Sequence, residues 1–245
     1  LLGDVIASLA LSGRLVSRSN PAVPALFAAL FLQATAADAQ TAEEGFALAA
    51  TSELVLAHVM TGDAQVDEIA QAGLTGLSDT LFFRTSVEPA TPVGVNLETD
   101  ELAFFPILYW PITPNQATPS SDAYAKLNDY LRSGGLILFD TRDGDVAGFG
   151  TSSPNVRKLQ QLAAPLDIPA LEPVPTDHVL TRTFYLLQDF PGRHNSRDVW
   201  VEASDPNAEQ IEGMPFRDLN DGVTPVVIGG NDWAAAWAVN EGGGP

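Results

Sequence analysis

Tyr130-Leu131-Arg132-Ser133-Gly134-Gly135-Leu136-Ile137-Leu138-Phe139-Asp140 decides the fold, because it holds the end of a helix, its stop signal and a whole strand. Upstream, Ser120-Ser121-Asp122 supplies an N-cap, and residues 123–132 put Tyr124, Leu127, Tyr130 and Leu131 on one helical face. Gly134-Gly135 is expected to end that helix in the left-handed conformation, which glycine tolerates best. Leu136-Ile137-Leu138-Phe139 is apolar without alternation, as in a strand covered on both faces. Asp140-Thr141-Arg142-Asp143-Gly144 breaks it.

The same alternation extends in both directions. Leu54 to Met60 reads as a buried strand broken by Thr61-Gly62-Asp63. Residues 64–85 then form a helix with Val66, Ile69, Ala70, Leu74, Leu77 and Leu81 on one face, while Gly73 and Gly76 permit close packing. Pro89 and Pro92 mark a loop, and residues 104–112 a further strand whose start Pro106 distorts. Downstream, residues 154–163 make a third helix. Residues 165–191 are punctuated by proline around a short helix at 180–187, and 199–203 and 223–228 are two more strands. Strands alternating with helices imply right-handed βαβ units, and so an α/β domain with a mostly parallel sheet and helices on both faces.

Composition narrows the function. Twelve Lys+Arg against 31 Asp+Glu give a net charge of −19, with no basic cluster, so such a surface repels phosphate backbones. A nucleic-acid partner is not expected. The cysteine count is 0, which removes thiol nucleophiles, disulfides and Cys-based zinc sites.

Residues 1–39 are a separate object, followed by a linker at 40–50 and the α/β domain at 51–245. Leu1 to Val16 is apolar apart from Asp4; Arg14 and Arg18 follow, then an alanine- and leucine-rich run at 21–37 and Ala37-Asp38-Ala39-Gln40. The pattern suits a secretory signal cleaved after Ala39 or an uncleaved anchor, rather than a hairpin of two soluble helices. In either case the arginines stay cytoplasmic, which places everything after Gln40 on the other side of the membrane. The start at Leu1 and the end at Gly242-Gly243-Gly244-Pro245 suggest a segment of a longer protein.

Ligands of open parallel sheets gather beyond the carboxyl ends of the strands. Four polar turns are expected there: Thr61-Gly62-Asp63, Trp110-Pro111, Asp140-Thr141-Arg142-Asp143 and Gly229-Gly230-Asn231-Asp232. The candidate ligand-binding residues are therefore Asp63, Trp110, Asp140, Arg142, Asp143, Asn231 and Asp232, with Asp177, His178 and Tyr185 from the proline-rich region. Carboxylates at 140–145 suit a hard cation, but their order lacks calcium-loop spacing, and a structural turn is the favoured reading. Asp218-Leu219-Asn220-Asp221-Gly222 reads as a surface turn. Asp177-His178 is a base with an orienting acid or, more simply, a helix cap. His58 belongs to the core and His194 to a solvated loop. No Gly-x-Ser-x-Gly elbow, Walker loop, dinucleotide motif or His-Glu-x-x-His occurs. No metal or cofactor is expected.

The Gly-Gly–strand passage resembles the class I glutamine amidotransferase-like superfamily. More specifically, the chain resembles a bacterial family of unknown function, which joins an aerotolerance-operon-type N-terminal region and membrane spans to a C-terminal domain of that fold. The matching pieces are residues 57–63, Asp100-Glu101-Leu102-Ala103-Phe104-Phe105-Pro106 with Tyr109-Trp110-Pro111, residues 138–143, Asp177-His178-Val179-Leu180-Thr181 with Phe184-Tyr185-Leu186, and residues 231–238. The resemblance implies a flavodoxin-like sheet, an envelope location with the α/β domain on the periplasmic side of a bacterial inner membrane, and a closing helix beyond Val239, without an established activity. Where amidotransferases carry a cysteine nucleophile after this strand, Asp140-Thr141 stands instead, so glutamine hydrolysis by that route is excluded.

The expected function is a non-catalytic, membrane-tethered binding or scaffolding domain that recognises an envelope protein, peptide or glycan. The alternative is a carboxylate- or metal-dependent hydrolase built from Asp140, Asp143 and Asp177-His178.

Overall fold

The computed structural model describes residues 54–145, 153–182, 186–203 and 224–238. The N-terminal segment at 1–39, the linker at 40–50 and the turn at 218–222 lie outside the described residues. Among the described residues, no helix is long and apolar enough to cross a membrane.

In chain order the elements are β1 (Ala57–Val59), α1 (Ala64–Arg84), β2 (Val93–Val95), β3 (Ile107–Pro111), α2 (Ser121–Arg132), β4 (Leu136–Asp140) and α3 (Pro154–Ala163). Then follow β5 (Leu171–Pro173), α4 (Val179–Arg182), β6 (Trp200–Glu202), β7 (Val226–Gly229) and α5 (Trp233–Trp237). The strands form one seven-stranded sheet in the order β2-β1-β3-β4-β7-β6-β5. From β2 to β7 all neighbours are parallel, while β6 runs antiparallel to both β7 and β5. This is the mostly parallel α/β sheet that the alternation of strands and helices implies.

The apolar strands sit in the middle because both their faces are covered. On one face Leu127 of α2 and Leu159 and Leu162 of α3 pack on Val59, Trp110, Ile137 and Phe139. On the other, Ala70 and Leu74 of α1 and Ala234 of α5 pack on Leu56 and Tyr109. Each fully buried side chain such as Leu127 or Ile137, both 0% exposed, contributes roughly 1.5–3 kcal/mol. The glycines of α1 have the expected use: a Cβ on Gly73 would lie 2.4 Å from the Ala234 carbonyl, so only glycine lets α1 meet α5 at this distance.

The turn at 133–135 is partly as expected. Gly134 is left-handed at φ +95° and would leave a side chain in open space, whereas Gly135 shows no positive φ. Gly135 is required for space instead, since a Cβ there would lie 2.3 Å from the Tyr130 ring. Three short elements escaped the periodicity. The loop expected around Pro92 yields to an edge strand directly after it, because the Val93 N–H reaches the Leu56 carbonyl at 3.0 Å. β5 lies within the proline-punctuated region, and α5 follows the last strand. Conversely, Phe104 and Phe105 form a turn before β3, with the Phe105 N–H on the Leu102 carbonyl at 3.1 Å.

Register carries the fold to its functional edge. Pairing of Pro111 with Asp140 and of Asp140 with Gly229 sets the carboxyl ends of β3, β4 and β7 at one level.

Candidate functional site

The turns after β4 and β7 meet first. Asp140 is fully buried at 0% exposure, and both carboxylate oxygens are taken up by the protein. Oδ1 accepts from the backbone N–H groups of Arg142 at 2.9 Å and Asp232 at 3.1 Å. Oδ2 accepts from the Tyr109 hydroxyl at 2.9 Å and the Trp233 N–H at 2.7 Å. Asp232 stands at the N-cap of α5 with a left-handed backbone at φ +53° and makes no side-chain cap. Asp140 performs that capping from across the sheet. Burial pushes its carboxyl up to about 6, against the pull of the four donors. Burial also raises the Tyr109 hydroxyl well above its ordinary value, with the Asp140 charge adding to it.

The neighbouring polar residues hold the same junction together. Arg142 is left-handed at φ +56°, and its Nη2 donates to the Ile112 carbonyl at 3.1 Å. Asp143 accepts from the hydroxyls of Thr141 and Ser153, so it ties β4 to the start of α3. Asn231 is fully buried and its Nδ2 donates to the carbonyls of Phe190 at 2.6 Å and Ser196 at 3.1 Å. Asp232 pairs with Arg193 at 3.2 Å. The space is as tight as the bonding, since a Cβ on Gly192 would lie 2.3 Å from the Asn231 carbonyl. Asp140, Arg142, Asp143, Asn231 and Asp232 are therefore brought together in a junction packed with the protein's own groups, in which Arg142 Nε and Asn231 Oδ1 have no partner among the described residues.

His178 is engaged locally instead. Nδ1 of His178 accepts from the Leu180 N–H at 3.2 Å, which caps α4. Burial lowers the His178 imidazole, while Glu172 and Asp177 act the other way. Tyr185 lies outside the described residues. His58 is buried, as expected of a core histidine, with Nε2 at 3.2 Å from Gln71 Oε1. His194, expected in solvent, is only 19% exposed and faces Asp145 at 3.8 Å. Among the described residues, no group of three or more His, Asp or Glu is placed to hold a metal ion.

Space for a ligand lies at the other half of the edge. A cleft of about 110 Å³ opens beyond β1, β2 and β3. Thr61 follows β1, Glu98 follows β2, Trp110 is the last residue but one of β3 and Gln116 belongs to the loop after it; all four line the cleft. Asp63, one turn further, is occupied as the N-cap of α1, accepting from Gln65 and Val66. Trp110 is 0% exposed, its ring tilted against Phe139 with centroids 5.2 Å apart, and its indole N–H has no partner among the described residues. Gln116 is 6% exposed, and its Oε1 likewise lacks a partner. A buried polar atom left unpaired costs about 1–3 kcal/mol, and two of the six residues that carry one among the described residues, Trp110 and Gln116, line this cleft. No Lys or Arg is among the lining residues.

Of the expected residues, only Trp110 lines this cleft. Gln116 and Glu98 were missed, although both sit in short polar loops just after strands. The signal was positional: Pro114-Asn115-Gln116-Ala117-Thr118-Pro119 follows the strand that carries Trp110.

A family model described as a domain of unknown function (DUF4159) matches residues 55–244. No curated protein matches the chain.

Proposed function

The chain belongs to the DUF4159 family, and from that premise we propose that it is a ligand-binding domain whose site is the cleft beyond β1 and β3. The carrying observation is the pair of buried, unpartnered polar atoms on Trp110 and Gln116. Position supports it. Taking β7 as the fifth parallel strand, the order β2-β1-β3-β4-β7 follows the flavodoxin-like pattern, in which the side on which successive strands are added reverses between β1 and β3. Ligands of such sheets sit at that switch point, and the cleft lies there. The flavodoxin-like, amidotransferase-like description of the fold rests on this order and on the sequence resemblance.

The reading is non-catalytic. The polar groups with the most suggestive sequence pattern, Asp140 and Asp143, are engaged in fastening β4, α3 and α5. His178, the base of the hydrolase alternative, is engaged in capping α4. That leaves binding without a nucleophile–base pair as the better-supported role. The apolar pattern of residues 1–39, with Arg14 and Arg18, supports tethering to a bacterial inner membrane with the domain on the periplasmic side. A protein, peptide or glycan of the envelope is the partner class that this placement would offer.

The test is a thermal-shift screen of the full chain against a chemically diverse small-molecule library, beside Trp110→Phe and Gln116→Ala. Saturable shifts that both variants weaken, with the compound recovered unchanged, support the reading. Shifts that neither variant alters, or chemical turnover of the bound compound, would sink it.

A further inference from the structure

Resting on the cleft as the binding site, we infer that its ligand is a neutral polyol, such as the edge of a sugar ring, and that Glu98 bars anions from it. In sheets of this kind the helix N-terminus beside the switch point is where a phosphate would sit, because its free N–H groups and dipole favour negative charge. Here the place beside α2 is taken. Glu98 Oε1 accepts from the Ser120 N–H at 2.9 Å, and Oε2 accepts from the Ser120 hydroxyl at 2.5 Å. Ser120 is the N-cap of α2, and its own Oγ accepts from the Ala123 N–H at 3.2 Å. The chain thus supplies its own anion at the helix start. Those two hydrogen bonds hold the Glu98 carboxyl below its ordinary value, so it is charged at neutral pH.

A second anion entering the cleft would meet this charge with no lining Lys or Arg to offset it, on a chain of net charge −19. The two unpartnered atoms make the same selection by chemistry. Trp110 offers a donor and Gln116 Oε1 an acceptor. A phosphate dianion or a carboxylate only accepts, and leaves Gln116 unsatisfied. An ammonium only donates, and leaves Trp110 unsatisfied. A hydroxyl both accepts and donates, and brings no charge. Several hydroxyls on one scaffold can also use the rim, where the exposed Thr118 lines the cleft.

The experiment uses the indole N–H of Trp110 as its reporter. The full chain has 4 tryptophans, so ¹⁵N labelling gives four indole signals, and the one absent from Trp110→Phe is assigned. The labelled protein is titrated with neutral mono- and disaccharides, their phosphorylated counterparts, inorganic phosphate and N-methylacetamide. The Trp110 signal is expected to shift saturably with at least one neutral sugar, and about tenfold more weakly with its phosphorylated form. Gln116→Ala should weaken the sugar by about five- to tenfold, the worth of one hydrogen bond, and Glu98→Gln should narrow the gap between sugar and sugar phosphate. Tighter binding of a phosphorylated sugar or of inorganic phosphate, or a response to the amide alone, overturns the polyol inference while the cleft remains a binding site. If no probe moves the signal, and a general fragment library moves none of the lining residues either, both the inference and the binding reading fail.

Discussion

The Asp140 carboxylate accepts the Trp233 backbone N–H at 2.7 Å, although the two residues are 93 positions apart. One side chain at the end of β4 thereby caps α5, whose own N-cap residue makes no side-chain cap. Asp140→Ala should cost about 3 kcal/mol, because it strands the buried N–H groups of Asp232 and Trp233 and the Tyr109 hydroxyl together. Urea unfolding of the variant measures the loss. A change under 1 kcal/mol would show that α5 is held chiefly by packing.

The same carboxyl sets a pH dependence. Its folded-state pKa is raised from 3.8 to about 6, so the folded protein holds the proton more tightly than the unfolded chain. Asp140's contribution is therefore fully present below about pH 4, is lost as pH rises through about 6, and is constant above that. Two pKa units correspond to roughly 3 kcal/mol at this buried group. Tyr109 can accommodate the proton by turning its hydroxyl to accept rather than donate. The unfolding free energy of the parent minus that of Asp140→Asn should fall by roughly 3 kcal/mol between pH 4 and 6 and level off by pH 7; equal slopes in both would refute the assignment.

Packing of α1 on α5 depends on a missing side chain. Gly73→Ala places a Cβ 2.4 Å from the Ala234 carbonyl, a backbone atom that cannot swing aside. The helices must separate, at a cost of about 1–3 kcal/mol. Thermal unfolding of Gly73→Ala beside Gly134→Ala tests the distinction. Gly134 has open space around it but a φ of +95°, so its loss comes from backbone conformation alone and should be about 1 kcal/mol.

Asp63 separates capping from binding. Its carboxylate accepts from the Gln65 and Val66 N–H groups at the start of α1. Asp63→Ala should cost about 1 kcal/mol of stability while leaving ligand response at Trp110 unchanged. Loss of binding in a stably folded Asp63→Ala protein would extend the site beyond the cleft.

Of the candidate residues, the sequence located the edge but not the division of labour along it. Polar turns after apolar strands mark the carboxyl ends of the sheet, and Asp140, Asn231 and Trp110 were all found there. Asp140 and Trp110 looked alike in that respect: each lies at the carboxyl end of an apolar strand, next to a turn. Burial and partners distinguish them. Asp140 has four donors around it, whereas the Trp110 indole has no acceptor among the described residues. Gln116 drew no notice, since an amide in a proline-flanked loop has no periodicity to betray it. The short strand β2 was missed for a related reason: three residues are too few to show a pattern, and its strand character comes from pairing with β1.

By itself the sequence determined the class of the protein. Continuous apolar strands, the helical spacing of Leu74 and Leu127 and the Gly-Gly stop require a mostly parallel sheet covered on both sides, because those are local consequences of side-chain period and backbone freedom. The absence of cysteine likewise settled which chemistry the strand end cannot perform. Tertiary structure alone decided which polar turn is closed and which is open. That outcome depends on groups distant in the chain: Trp233 reaching Asp140, Ser153 reaching Asp143, and Glu98 filling the start of α2. Hydrogen bonds of this kind depend on distance and direction in space, and no spacing along the chain encodes them.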